Sequence, residues 1–228
     1  MAVSLSFAGE ALVPLPCGAL HWPAQGALLV ADLHFEKASA FARRGWLLPP
    51  YDSEETLARL IDALERTGAS RVFCLGDSFH DGGGPERLGT AARATLQALT
   101  RSLDWLWITG NHDDSAAAAL GGRVMREAKI GPLMLRHEAE PDDDAPELSG
   151  HYHPKVSIHI RHRRISRRCF ALTASKLVLP AYGAFTGGLE VSDPAFAAAL
   201  PGPITALVAE GERLLRFPVA PAPQARAG

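Results

Sequence analysis

Five short polar clusters, each ending an apolar run, carry the side chains of this sequence that can do metal chemistry. They are Asp32-Leu33-His34, Gly76-Asp77 with His80-Asp81, Gly110-Asn111-His112-Asp113, Arg136-His137-Glu138 and Gly150-His151-Tyr152-His153. Residues i and i+2 of an extended segment point the same way, so Asp32 and His34 are expected to reach one cation from a strand end. Alone, an Asp-x-His is an ordinary strand end. Taken together, Asp32, His34, Asp77, Asn111, His137, His151 and His153 offer seven nitrogen and oxygen donors, more than one ion normally takes from a protein. They suit two ions sharing a carboxylate, with Asp77 the natural bridge. Imidazole mixed with carboxylate and amide favours Mn, Fe or Zn over Mg or Ca. The absence of cysteine from the clusters argues against a structural zinc site. Two ions roughly 3.5–4 Å apart generate a hydroxide and clamp the oxygens of a phosphoryl centre. His112 follows Asn111 and does not readily share its direction. That leaves it to face a substrate, where it can stabilise charge or protonate the leaving oxygen.

The remaining sequence reads as the elements that must hold these clusters. Ala19 to Trp22 and Ala27 to Ala31 look like strands around a turn at Pro23 to Gly26. Glu36 to Trp46 suggests a short helix or loop near the site. Asp52 and Glu55 form a capping box, after which Leu57, Leu60, Ile61 and Leu64 recur at helical spacing until Gly68. Arg71 to Leu75 is a buried strand running straight into Gly76-Asp77. Gly82 to Pro85 turns into a second helix over Glu86 to Arg101, with Leu88, Ala92, Leu96 and Leu99 on one face. Leu103 to Thr109 is the next strand. Clusters at the carboxyl ends of such alternating strands are where open α/β sheets place ligands. Short β-like runs then dominate: Arg123 to Ala128, Leu133 to His137, Val156 to Arg161, Arg164 to Thr173 and Lys176 to Leu179. They predict a second, more antiparallel sheet packed on the first. Ile204 to Val208 and Arg213 to Phe217 read as a closing hairpin around Glu210-Gly211.

With 228 residues, 47% of them hydrophobic, the chain can bury a substantial core. The expectation is one domain over 1–217 and a disordered Pro/Ala-rich tail over 218–228. A formal net charge of −2 argues against a generic nucleic-acid coat, although local patches can still bind a polyanion. No stretch approaches the roughly 20 apolar residues of a membrane span. The start, Met1 to Leu5, lacks the basic flank and apolar run of a signal peptide. Cys17, Cys74 and Cys169 are widely spaced and odd in number, and Cys74 lies in an apolar run. A reduced, cytoplasmic protein without membrane contact is expected.

In their order, Asp-x-His, Gly-Asp, Gly-Asn-His-Asp, a lone His and Gly-His-x-His resemble the calcineurin-type metallophosphoesterases, over about Asp32 to His153. The resemblance implies an α/β fold, an αββα sandwich of two mixed β-sheets flanked by helices, with a dinuclear metal site at the strand ends. It assigns Asp32, His34, Asp77 and His153 to one metal and Asp77, Asn111, His137 and His151 to the other, most simply two Mn²⁺ ions. It makes His112 the catalytic histidine beside a metal-bridging hydroxide that attacks phosphorus in line. The protein-phosphatase branch has an Asp where this chain has His80. A His there resembles the nuclease branch, including the nuclease subunit of double-strand-break repair complexes. Asp81 or Asp113 is then left as the group that orients His112.

The flanking residues narrow the resemblance. Ala31 to Lys37, Gly150-His151-Tyr152-His153-Pro154, Arg168-Cys169-Phe170 and Leu179 to Gly188 look like the bacterial DNA-ligase-associated metallophosphoesterases. That group implies a phosphodiesterase or endonuclease in DNA repair, with DNA as substrate and a ligase and a helicase as pathway partners. Oligomeric state is not fixed by the sequence, and a homodimer is compatible with it. Arg163, Arg164, Arg167 and Arg168 lie in one dense basic run across a hairpin turn, suited to a DNA backbone or to protecting a sheet edge. Lys37 is a further candidate phosphate contact. Asp142-Asp143-Asp144 reads as a solvated loop. Rival readings are a small-molecule phosphoesterase, acting on a cyclic nucleotide, nucleotide or pyrophosphate, and a non-catalytic scaffold in a repair complex.

Overall fold

Period-two alternation with both faces apolar makes the central strands of the first half, and burial on both sides holds them there. The computed structural model describes residues 3–111, 116–161, 163–200 and 202–219. β1 (Leu5–Phe7), β2 (Glu10–Pro14), β3 (Leu20–Trp22) and β4 (Ala27–Val30) pair antiparallel in sequence. Helices α1 (Lys37–Ala42) and α2 (Asp52–Thr67) lead to β5 (Arg71–Leu75). Helices α3 (Gly84–Arg87) and α4 (Thr90–Ser102) lead to β6 (Asp104–Ile108), and β7 (Arg123–Met125) follows. β4 to β7 are parallel, so the described residues form a seven-stranded mixed sheet in the order β1 to β7.

The second half supplies β8 (Ala128–Ile130), β9 (Leu133–Leu135), β10 (Glu147–Ser149), β11 (Pro154–Ile160) and β12 (Arg163–Arg168). After these come β13 (Phe170–Leu172), β14 (Lys176–Val178), β15 (Leu189–Glu190), α5 (Pro194–Ala199), β16 (Thr205–Glu210) and β17 (Arg213–Pro218). Among the described residues, a second mixed sheet runs β17-β16-β13-β14-β10-β9-β8, and β12-β11-β15 form a small third one.

Side-chain alternation assigns the layers. Leu28, Val30, Val72, Cys74, Trp105 and Trp107 face α2 and α4, where Leu57, Leu60, Leu64, Ala92 and Leu96 meet them. Their neighbours Leu29, Phe73, Leu75, Leu106 and Ile108 face the second sheet's Leu133, Leu135, Leu148, Phe170, Leu177 and Leu207. On that sheet's outer side Ala171, Val178, Ala206 and Val208 pack against Phe196 and Leu200 and against Val156 of β11. The result is the expected α/β architecture of two mixed sheets face to face with helices outside. One outer layer is a short helix plus the β11–β12 hairpin.

Several local expectations change. Asp52 lies inside α2 and makes no capping bond; its carboxylate accepts the N–H of Ala38 at 3.0 Å, because burial against α1 offers a tertiary partner instead. Gly68 does end α2, at φ +64°, returning its N–H to Leu64 O. The helix expected over Glu86 to Arg101 is two helices, broken at Leu88-Gly89, whose ψ angles of 121° and 148° are extended. Leu88 is buried there, so packing overrides the helical period. Arg123 to Ala128 is likewise two strands, β7 in the first sheet and β8 in the second. Arg164 to Thr173 also divides: the chain leaves the small sheet at buried Cys169 and enters the second sheet as β13. β17 runs through Pro218, opposite Thr205, and Val219 donates to Ile204 O. The rest of the expected tail, 220–228, lies outside the described residues.

Candidate metal centre

The candidate ligands come from the carboxyl ends of strands in both sheets. Asp32 follows β4, Asp77 follows β5, Asn111 follows β6, His137 follows β9, and His151 and His153 follow β10. Two sheets facing each other therefore bring ligands to one edge. The backbone geometry there is unusual. Asp32 (φ +53°), His34 (+44°), Asp77 (+45°), His151 (+71°) and His153 (+47°) are all left-handed. Asp32 and His34 thus reach the same side through left-handed turns and not through the extended alternation expected for them. A left-handed non-glycine residue costs about 1–2 kcal/mol, and such strain persists where surrounding structure over-determines it. Here the surroundings are backbone bonds between clusters: Asp32 N–H to Gly76 O (3.2 Å), His34 N–H to Asp77 O (2.9 Å) and Gly183 N–H to Asp32 O (3.1 Å). The segment 181–184 runs beside Ala31, fixed to α2 by Arg59 on Tyr182 O and by Thr56 Oγ1, which accepts Ala184 N–H.

The side chains converge in two groups, Asp32–His34–His153 and Asp77–His137–His151, each with ligand atoms within 4.8 Å of one another. His34 Nε2 is 3.2 Å from His153 Nε2, and His137 Nε2 is 3.1 Å from His151 Nδ1. Two ligand atoms about 2.1 Å from one ion, about 90–110° apart, lie about 3.0–3.4 Å from each other. These separations fit the edges of two coordination shells. Asp77 lies between the groups, with Oδ2 4.0 Å from His34 Nε2 and Oδ1 3.5 Å from His137 Nε2. The Nδ1 of His137 sits 3.1 Å from Leu75 O, which accepts its proton and leaves Nε2 as the lone-pair atom facing the site. Burial, then the neighbouring His137, pushes the His151 pKa below its ordinary value, so a neutral, ligating imidazole is favoured.

Close approach requires two of the glycines. A Cβ on Gly76 would stand 2.1 Å from His137 Nδ1, and one on Gly110 would stand 2.3 Å from Asp77 Oδ1. Each glycine before a ligand makes room for a ligand of another cluster.

The other sequence-derived candidates have the following places. Asn111 is exposed, its Nδ2 3.4 Å from His151 Nδ1, at the rim of the second group. His112 and Asp113 lie outside the described residues. His80 borders the first group, its ring 5.5 Å from those of His34 and Phe41. Burial pushes the Asp81 carboxyl up, but Arg87 at 2.7 Å and the Gly83 N–H outweigh it and hold it below the usual range. Lys37 is half-buried over the Phe41 ring, with burial lowering its pKa and Asp52 opposing.

The basic run is not one patch. Arg168 stands opposite Lys155 and Ser166 opposite Ser157, whereas Arg167 stands opposite Val156, so the pleat sends Arg164 and Arg168 to one face and Arg163 and Arg167 to the other.

Sequence reasoning missed three features. Glu138, next to His137, accepts the Tyr152 hydroxyl proton at 3.0 Å and lies 3.7 Å from His151 Nε2. Arg126 and Arg136 line a cleft of about 840 Å³ with Asn111, His137 and Glu138. Behind it, Arg136 bonds Glu127, Asp143 and Glu147, and Lys176 pairs with Glu147 at 3.0 Å with both side chains buried. Asp143 thereby belongs to the clamp on the His137 loop, not to a solvated acidic run. Only the placing of Glu138 and Tyr152 directly after ligands signalled any of this in sequence.

Two imidazole-carboxylate groups joined through a central aspartate, at the edge of two packed mixed sheets, define a dinuclear metal-dependent phosphoesterase. The family description for calcineurin-like phosphoesterases matches residues 27–179, and the chain belongs to that family, which uses two divalent ions. Among solved structures, the chain is similar to Pseudomonas putida nuclease MPE at 30% identity, over 95% of this chain and 100% of that one, with a TM-score of 0.73. Yfce, a phosphoesterase from E. coli, aligns at 12% identity over 85% of this chain and 99% of that one, with a TM-score of 0.44. No curated protein matches the chain. Among the described residues no helix is long and apolar enough to cross a membrane.

Proposed function

We propose that this phosphoesterase hydrolyses phosphodiester bonds in DNA, as an Mn-dependent endonuclease of DNA repair. The observation that carries the reading is Asp77 between His34 and His137, where one carboxylate can serve both ligand groups. The nuclease named among the similar structures supports the polymer substrate. The donors, imidazole and carboxylate without thiolate, suit Mn²⁺. Bound there, two ions supply water activation and charge neutralisation at a phosphoryl group. The chain's own residues do the rest. Asp32, His34, Asp77 and His153 hold one side of the centre, and Asp77, Asn111, His137 and His151 the other. Glu127 and Glu138 share the adjoining cleft with Arg126 and Arg136, and Arg136 is held by three carboxylates, which leaves Arg126 as the arginine there placed to meet an anionic substrate. His112, next to Asn111 in sequence, takes the role of proton donor to the leaving oxygen. His80 borders the first group on the side of Phe41. A place beside a ligase and a helicase rests on the sequence resemblance.

The test is one panel with Mn²⁺: single-stranded DNA, duplex DNA, cyclic nucleotides and a phosphomonoester. Cleavage of DNA in preference to the small substrates is expected. Preference for a cyclic nucleotide or the monoester would replace the DNA reading with a small-molecule one.

A further inference from the structure

A second concavity, of about 270 Å³, shares His153 with the first ligand group. Lys155, Ser166, Arg168, Ala181 and Gly187 are among the residues that line it. Its charge arrangement is odd for a structural feature. Lys155 and Arg168 stand directly opposite each other on β11 and β12, and like charges in that position repel. Among the described residues neither Lys155 nor Arg168 has a carboxylate within ion-pair distance, although both line the cleft. Arg168 gives one N–H to Ala181 O at 3.1 Å, which fixes the guanidinium at the wall of the cleft. Ser166, two residues along the same face, adds a hydroxyl. Two opposed cations and a hydroxyl, with the nearby Glu190 carboxylate already held by Ser157 and Arg164, on a face that reaches a candidate metal ligand, form a receptor for an anion that accepts two hydrogen bonds.

We propose that this cleft binds a substrate phosphate adjacent to the one being cleaved, so that the protein engages a DNA strand by two or more consecutive phosphates. The inference rests on the phosphodiesterase reading above. It also ranks the arginines of the basic run. Arg168 and its partner Lys155 contact the strand, whereas Arg163 and Arg167, on the opposite face of the hairpin, do not.

The test is binding of a fluorescently labelled oligothymidylate to the full chain, by anisotropy in EDTA so that cleavage does not intrude. Lys155→Ala is expected to weaken binding at least fivefold. It should also lower the slope of log K against log salt by about 0.7, the value for one phosphate contact on a single strand. Gly187→Leu provides a variant that touches no charge. A Cβ at Gly187 meets nothing within 4 Å, so the longer side chain enters open space at the cleft, and it should weaken binding likewise. Arg167→Ala should cost less than Lys155→Ala. With Mn²⁺, the ratio of oligothymidylate to bis-p-nitrophenyl phosphate turnover, in kcat/KM, should fall at least fivefold in Lys155→Ala. Thermal melts check that each variant is folded, and Lys155→Met replaces any that is not. Failure of the wild type to bind, wild-type binding by Lys155→Ala and Gly187→Leu, or an equal loss in Arg167→Ala would overturn the proposal. Binding that follows the expected order in a protein that cleaves no phosphodiester would overturn the proposed function and leave the cleft standing.

Discussion

The backbone N–H of His151 donates to the buried carboxylate of Asp32, 2.9 Å from Oδ2, across 119 residues of chain. The other oxygen, Oδ1, lies 3.6 Å from His153 Nε2. One side chain therefore serves the first ligand group and also fixes the loop that carries the last two histidines. Charge and hydrogen-bond acceptance can be separated by substitution. Asp32→Asn keeps an acceptor for His151 and removes the charge. It should lose bound Mn²⁺, by metal analysis of dialysed protein, while melting within a few degrees of wild type. Asp32→Ala should lose the metal and also about 1–3 kcal/mol of stability, because the part-buried His151 N–H loses its charged partner. Full metal content in Asp32→Asn would remove Asp32 from the ligands.

Gly110→Ala tests the close approach of clusters. The new methyl would stand 2.3 Å from Asp77 Oδ1, so the carboxylate or the turn must move. The expected outcome is a loss of about 1–3 kcal/mol from overpacking together with weaker Mn²⁺ binding, read by denaturant melts and calorimetric titration. Wild-type affinity would show that Asp77 is not placed between the two ions.

His112→Ala should bind Mn²⁺ as the wild type does and lose roughly 10²–10⁴-fold in kcat, the usual worth of a positioned proton donor. Single-turnover kinetics on bis-p-nitrophenyl phosphate, beside metal analysis, measure both. Unaltered kcat would end that role.

Lys176→Met breaks the buried pair with Glu147, both side chains being at most 1% exposed. Glu147 keeps Arg136 at 2.9 Å as its remaining cation, so the cost should fall below the about 3–5 kcal/mol of a wholly uncompensated buried charge, at about 1–3 kcal/mol. For a chain of this size that lowers Tm by roughly 5 °C. Lys176→Met with Glu147→Gln should recover part of the loss, a coupling that separate surface effects would not show.

Metal binding should stabilise the fold, by about 2.7 kcal/mol when Mn²⁺ is at a hundred times its Kd. The ligand imidazoles must be neutral, so this gain should fade as pH drops through the histidine range. His151, whose pKa is held low by burial and by His137, resists that protonation. Melts with Mn²⁺ and with EDTA between about pH 5 and 8 give the difference directly.

The types and order of the ligands are local facts, and the five clusters carried them with a dinuclear centre, a mixed α/β fold and a family. Strand and helix placement followed from periodicity wherever one face was buried, as in β4, β5, β6 and α2. Tertiary contacts decided the rest. Asp52 left its capping role because Ala38 offered a buried partner. Leu88 broke a helical pattern to enter the core. Pleating divided one run of arginines between two faces, and Arg136 and Lys176 found their carboxylates on other strands. Nothing in Asp32-Leu33-His34 itself calls for left-handed backbone, since that conformation is unfavourable taken alone. It exists because Gly76, Asp77 and Gly183 bond that stretch from elsewhere in the chain, and those bonds place a carboxylate and an imidazole beside residues more than a hundred positions away.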